Sequence, residues 1–410
     1  PPNPLFPEEM TQDAIFFGGT DPGRFVPTYM IYSADVRSDV YLITQNALAD
    51  NTYLNVMRDL YGDRIWIPAQ PDSAKAFQVY VDEIKSGKRP KNADLVIKNG
   101  RVQISGALGV MEINGILARM IFNHNKHKHD FYVEESYVIK WMYPYLTPHG
   151  LIMKINDSPA KLSPETIRND IDFWDWYSRR LMSDPRFWRD VVAQKSFSKL
   201  RSAIGGLYAF RREYDKAEQA FHEARMLYPL SPEANFRLAQ EVYLAQDNFE
   251  AAETIIKDYG RRDVNSNKSD AFLKQLDRIK KLSSSIKSLE TERKAGKIAV
   301  GKAVKLAELY MRANKHGKFA HILNDILKSN NFPPAIYMKT AALAYQAKHM
   351  PLMLKALNQR LKNAGPKTNP KILLNAASFY AKVGKLAEAE KAMAMYLEKK
   401  PADWRASLDL

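Results

Sequence analysis

Cysteine is missing from all 410 positions. That excludes disulfides, thiol nucleophiles and thiolate metal sites. The absence suits the cytoplasm, and equally an oxidising compartment where a stray thiol is a hazard. Long apolar runs are missing too. A membrane-crossing helix needs about 18 such residues in a row, and apolar stretches here, such as Ala14–Phe17 and Gly150–Met153, have the length of strands. The start, Pro1-Pro2-Asn3-Pro4, lacks the basic and apolar regions of a signal peptide, and lacks an initiator Met. A fragment or processed form of a longer chain is therefore expected. No Ser-His-Asp constellation, GxSxG elbow or HExxH motif occurs. Acidic residues are in deficit, 46 against 61 Lys and Arg, for a formal charge of +15. Such a surplus attracts nucleic acid, anionic lipid or acidic protein. The lysines are spread along helical segments, which is the pattern of a solvated helical surface.

What is present divides in two. From about Asp13 to Asn156 strand-like and helix-like patterns alternate. Ala14–Phe17, Val40–Thr44, Phe131–Val133 and Leu151–Ile155 read as strands, and Phe25–Ala34, Asn51–Tyr61, Ser73–Ser86 and Val110–Asn123 as helices. Asn99-Gly100 predicts a type I′ hairpin turn between Leu95–Ile97 and Val102–Ile104. A short aromatic helix is expected before Leu151. This alternation predicts an α/β domain, residues 13–160, with a mostly parallel open sheet. Residues 1–12 read as an N-terminal linker. Residues 161–196 read as connecting helices. Ser163 and Pro164 suit the start of the first, and Phe173, Trp174, Trp176 and Tyr177 would seat it on a neighbouring domain.

Beyond Phe197 no strand signal remains and the chain repeats itself. Gly205, Tyr208, Ala217, Phe221, Ala224 and Pro229 are echoed 172 positions later by Ala377, Tyr380, Ala389, Met393, Tyr396 and Pro401. That displacement is close to five units of about 34 residues, the tetratricopeptide period. Small residues let paired helices approach, large ones fill the gap, and the proline turns the chain into the next unit. Residues 197–410 are thus expected to be an all-α solenoid of six helix pairs. The unit around Ala271–Lys297 is degenerate, keeping only a stripe from Leu273 to Leu289, and Ala402–Leu408 would begin a capping helix. Such an array presents a surface for a peptide or protein partner.

Gly18-Gly19-Thr20-Asp21-Pro22-Gly23-Arg24 follows the first strand and precedes a helix, where open α/β sheets bind ligands and free backbone N–H groups favour anions. It has neither dinucleotide nor Walker spacing. A tight turn capped by Asp21 is the other reading. Glu134 and Glu135 sit at the expected C-terminal edge, where a carboxylate serves acid–base work; only one of two adjacent side chains can face a given site. His124, His127, His129 and Asp130 have the residue types of a zinc site, but the interleaved lysines oppose a cation and the stretch reads as a helix end. Asp35, Arg37 and Asp39 read as a surface charge network. The basic stretch Arg278–Lys297 lacks the aromatics of a nucleic-acid surface. No nucleic acid, metal or cofactor is expected.

Asp13–Asp21, Tyr29 and Asp35-Val36-Arg37-Ser38-Asp39-Val40, with Phe131–Val133, Tyr145–Ile155 and Phe173–Tyr177, resemble the soluble region of a bacterial membrane family akin to protein O-mannosyltransferases of GT-C type. Where that family has Gly-Asp-Asn-Asp-Thr-Phe-Pro, this chain has Gly19-Thr20-Asp21-Pro22-Gly23-Arg24-Phe25-Val26-Pro27, keeping one Asp and the Pro. The resemblance covers about residues 10 to 260. It implies a transmembrane portion carrying the catalytic acid outside these residues, and an extracytoplasmic, periplasmic place for this part, which would bind acceptor protein or an assembly partner without catalysing. Two other functions fit the residues alone. One is a free-standing tetratricopeptide adaptor. The other is an enzyme taking a phosphorylated or nucleotide-sugar ligand at Gly18–Arg24.

Overall fold

The computed structural model describes residues 2–18, 25–86, 88–89, 95–98, 101–104, 106–134, 139–263, 267–328, 332–362 and 369–403. The chain divides into two compact units, Pro1–Leu273 and Lys274–Leu410.

The first unit begins with β1 (Ile15–Gly18), α1 (Phe25–Tyr32), β2 (Tyr41–Thr44), α2 (Asn51–Tyr61), α3 (Gln70–Lys85), β3 (Leu95–Lys98), β4 (Arg101–Ile104), α4 (Ala107–Asn125), β5 (Phe131–Glu134), β6 (Leu146–His149) and β7 (Ile152–Ile155). Five strands form one sheet in the order β2-β1-β5-β7-β6, and β3 and β4 form a separate antiparallel pair. β1 and β2 are buried at every position, which is why they read as unbroken apolar runs rather than alternations.

The expected mostly parallel sheet is corrected to a mixed one. β1 is parallel to β2 and β5, but β7 is antiparallel to both β5 and β6. The cause is the connection. Only Gly150 and Leu151 separate β6 from β7, too few residues for a parallel crossover. Gly150 takes φ +70°, and a Cβ there would lie 2.7 Å from the Pro7 ring. The expected aromatic helix is one 3-10 turn, Tyr143–Tyr145, followed by β6. Sequence reading missed that strand because Pro148 sits inside it. Proline is tolerated there because β6 is an edge strand. The Asn99-Gly100 turn lies outside the described residues, although β3 and β4 pair in the register it requires, Lys98 opposite Arg101.

Helices α5 (Pro164–Ser183) and α6 (Pro185–Arg189) follow. Ser163 caps α5 by accepting from the Thr166 N–H. The aromatic cluster does seat α5: Trp174 is fully buried, its indole N–H donates to the Gly150 carbonyl at 3.1 Å, and Phe173 meets Phe6 edge-on. Then come α7 (Val191–Phe210), α8 (Tyr214–Leu227), α9 (Pro232–Arg237) with a π-helical turn over Leu238–Tyr243, and α10 (Phe249–Arg262).

Next is α11 (Lys268–Lys294), which covers most of the degenerate unit. It is one unbroken helix, since no Gly or Pro interrupts it. The second unit continues with α12 (Val300–Arg312), α13 (His316–Lys328), α14 (Pro334–Gln346), α15 (Met350–Lys362), α16 (Pro370–Lys382) and α17 (Leu386–Leu397). The starts of α12, α14 and α16 are 34 and 36 residues apart, as are those of α13, α15 and α17. Five helical hairpins are present among the described residues rather than six, and the capping helix from Ala402 falls largely outside them.

All five hairpins turn in the same way. Arg212, Asp247, Asn314, Lys348 and Gly384 have φ between 53° and 73°, each two residues ahead of the second helix. The next residue sends its N–H back to the carbonyl of Tyr208, Tyr243, Tyr310, Ala344 or Tyr380. This is Schellman closure, which satisfies the last carbonyls of the first helix. Four of the five carry a side chain at a left-handed φ, which costs on the order of 1 kcal/mol each. The packing of the two helices must therefore hold the turn.

Candidate functional site

At the C-terminal ends of the three parallel strands, Gly18 lies opposite Thr44 of β2 and Glu134 of β5. The Thr44 N–H donates to the Tyr53 hydroxyl at 2.7 Å. Asn114 of α4 fixes the following turn, taking the Ala49 N–H at 2.7 Å and donating to the Asn46 carbonyl at 3.0 Å. Gly18 and Glu134 are thus brought together as register neighbours. Gly19, Thr20, Asp21, Arg24 and Glu135 lie outside the described residues. The described part of this edge presents one carboxylate, half-buried, beside a glycine and a threonine.

The opposite ends of the strands hold the charge network. Arg37 donates to both oxygens of Asp39 at 2.8 Å, and Asp39 accepts the Asp13 N–H at 3.2 Å. The Arg37 hydrogen bonds hold the Asp39 carboxyl down at about 2. The histidines do not converge. His124 stacks on Trp66 at 3.9 Å, His129 contacts the Asp13 carbonyl at 2.7 Å, and Asp130 accepts from Lys154 at 2.9 Å. Among the described residues no group of three His, Asp or Glu is arranged to hold a metal. A cleft of about 800 Å³ opens along α3 and α4, lined by Tyr80, Met111 and Trp141. Three of its charged groups are engaged with one another, Arg89 pairing with both Glu83 and Glu112.

The repeat residues form the packed seams of the hairpins. Tyr208, Ala217, Phe221 and Ala224 are fully buried. A Cβ on Gly205 would stand 3.1 Å from the Phe221 ring, so this position sets how closely α7 and α8 approach. Ala377, Tyr380, Ala389, Met393 and Tyr396 occupy the matching places in α16 and α17 and are likewise buried. Pro229 and Pro401 lie in the turns after α8 and α17. The basic stretch of α11 is partly engaged: Arg293 pairs with Asp325 at 2.5 Å and Lys281 with Asp277 at 2.7 Å.

Two features escaped the sequence. The first is a ladder of tyrosine hydroxyls. Tyr208 donates to Asp170 at 2.7 Å, Tyr243 to Glu218 at 2.7 Å, Tyr310 to Glu290 at 2.6 Å and Tyr380 to Asn358 at 2.7 Å. Each acceptor stands on a helix ahead of the hairpin, namely α5, α8, α11 or α15. Helices α5 and α11 therefore take the place in the ladder that α8 and α15 take. The second is a buried ionic knot. Arg201 is fully buried, with Asp170 at 2.9 Å and Glu223 at 2.6 Å, and its guanidinium lies 5.2 Å from the Trp174 ring centre. Burial opposes the charge on Arg201, but the two carboxylates more than offset this and raise its pKa. Burial pushes the Asp170 carboxyl upward, against the pull of Arg201 and Tyr208. A signal was available: Arg201 stands four residues before Gly205 and seven before Tyr208, on the same buried helical face.

No family model and no curated protein matches the chain. Solved structures give likenesses of low score. PilW, a widely conserved type IV pilus biogenesis factor, is 10% identical over 56% of this chain and 93% of its own, with a TM-score of 0.20. A thermophilic tetratricopeptide repeat protein of Thermus thermophilus is 19% identical over 52% and 96%, at 0.19. A tetratricopeptide repeat protein of Parabacteroides merdae is 10% identical over 55% and 93%, at 0.22. Scores this low carry no argument; the repeat assignment stands on the period, the turns and the ladder. Among the described residues no helix is long and apolar enough to cross a membrane.

Proposed function

We propose that the chain is a partner-binding module, an adaptor whose helical hairpins of tetratricopeptide type present their exposed faces to a protein or peptide. The observation that carries this is the repetition of one hairpin geometry, with the same left-handed turn in all five and a tyrosine at the same position in four. Stacked repeats of this kind commit their recurring residues to packing and leave the outer helix surface for recognition. Crosslinking the intact chain to a captured partner and mapping the linked lysines tests the reading. Links concentrated on the hairpin helices are expected. Links confined to the strand ends around Gly18, Thr44 and Glu134 would overturn it.

The finer reading places this module in the extracytoplasmic part of a membrane glycosyltransferase. It rests on the resemblance alone. Asp13, Arg37 and Asp39, all within the resembling motif, form a single clamp joining the start of β1 to that of β2. Reading the gene upstream of Pro1 decides it. About ten apolar spans are expected, and a start codon a few positions upstream would end the idea.

A further inference from the structure

The formal charge of +15 is not shared between the two units. Pro1–Leu273 holds 34 Lys and Arg against 36 Asp and Glu, a net −2, whereas Lys274–Leu410 holds 27 against 10, a net +17. Within the second unit the imbalance is sharper still. From Ile326 to Ala387, 62 residues contain no Asp or Glu and carry nine lysines and one arginine. This stretch contains α14, α15 and α16.

A solvated lysine-rich surface is the plain explanation, and the neighbouring helices argue against it. The cations of α12 and α13, the last of them at the edge of this stretch, have local carboxylates: Lys302 meets Glu292 at 2.8 Å, Lys305 meets Glu308 at 3.1 Å, Lys318 meets Glu290 at 2.7 Å and Lys328 meets Asp325 at 3.0 Å. Lys339 on α14 and Lys371 and Lys382 on α16 are exposed and meet no carboxylate among the described residues. Cations of α12 and α13 thus have carboxylate partners, whereas these on α14 and α16 have none among the described residues.

The same two helices also carry apolar groups at or near their surface. Tyr345 of α14 meets Phe379 of α16 edge-on at 5.4 Å. The Lys382 ammonium lies 6.0 Å from the centre of the Phe379 ring, and Met338 and Leu374 are half-buried beside the core. A bilayer would call for more protruding apolar side chains than the two large ones this unit exposes among its described residues, Tyr345 and Leu386. A single-stranded nucleic acid would call for open aromatic faces, whereas Tyr345 and Phe379 pack against each other.

We infer that α14 and α16 form the docking face for an acidic, extended protein segment whose carboxylates alternate with apolar side chains. This rests on the adaptor reading and names the chemistry of its partner. Carboxylates on such a segment would meet Lys339, Lys371 and Lys382 while its apolar groups cover Tyr345, Phe379 and Leu374. Like-charge repulsion within the bare face would be relieved on binding, giving fast and salt-sensitive association.

The test uses the intact chain and a fluorescent peptide of about 20 residues alternating Glu with Leu or Phe, read by anisotropy at physiological ionic strength. Three other probes run beside it: the same peptide with Gln for Glu, a single-stranded oligonucleotide, and phosphatidylglycerol vesicles. Saturable binding of the acidic peptide is expected, weakened on the order of tenfold or more by the triple change Lys339→Glu, Lys371→Glu and Lys382→Glu. Exposed positions keep that variant folded, which circular dichroism checks. Equal binding of the Gln peptide, an unaltered affinity in the triple variant, or tighter binding to vesicles or oligonucleotide would each overturn the inference. If crosslinks to a captured partner still fall on other hairpins, the adaptor reading survives that failure.

Discussion

Arg201 in the first unit and Arg360 in the second are both fully buried, yet their pKa values move in opposite directions. Two carboxylates surround Arg201 and raise its pKa above the ordinary value. Arg360 lies inside the 62 acid-free residues, and desolvation lowers its pKa. The same contrast holds for the units around them. The first neutralises its charge internally, in knots such as Asp170–Arg201–Glu223, and the second carries a net +17. Balance within the fold makes for rigidity. Imbalance at the surface is a standing attraction for something else.

The comparison breaks most easily at Arg201. Arg201→Met would leave Asp170 and part of Glu223 buried without their cation, a loss of about 3–5 kcal/mol by the usual cost of breaking one side of a buried pair. Hydrogen exchange on the intact chain reads it locally. Amides of α5, α7 and α8 are expected to lose protection while those of α12–α17 keep theirs. Unchanged protection in α7 would mean the knot is not what holds that hairpin.

A smaller effect separates two rungs of the same ladder. Tyr208→Phe removes a donor from a fully buried carboxylate, and hydrogen bonds to charged groups are worth about 1.5–3 kcal/mol. Tyr310→Phe removes one from Glu290, which is a quarter exposed and also held by Lys318, so about 1 kcal/mol is expected. Urea melts of the two variants should rank in that order. Equal losses would show that solvent screens neither rung.

How much of this was legible follows from range. β1 and the repeat positions are local patterns: four consecutive buried residues in one case, and Gly205, Tyr208, Ala217 and Phe221 at helical spacing in the other. Both can be read from a short window. The sheet's direction was not local. In the five-stranded sheet β1, β2 and β5 are truly parallel, but β6 hid behind Pro148, and with it the tight return at Gly150. Tyr208 was legible as a packing residue. Its acceptor Asp170 was not, because it lies 38 residues away on another helix. Of the strand-end candidates, Gly18 and Glu134 share an edge because their strands pair in register, a fact no spacing in the sequence carries.

Acidification should sharpen the comparison with the smallest effect of the three. Burial lowers the pKa of His149 in β6 below its ordinary 6.5, and burial with the nearby Arg225 does the same to His222 in α8. A depressed value means the unfolded chain takes up protons first, so the stability these groups support is full above pH 6.5 and falls as pH drops through it. In the second unit, hydrogen bonds from Lys318 and Tyr310 hold Glu290 below its ordinary 4.5. Its contribution is full above pH 4.5 and is lost only below that. Between about pH 6.5 and 5, protection of amides in β6 and α8 should therefore fall while that in α12 and α13 stays level. A simultaneous fall in both would mean that the two units do not titrate independently. His149→Gln should remove part of the slope in β6 and leave α13 unchanged, because a residue that cannot gain a proton has none to take up on unfolding.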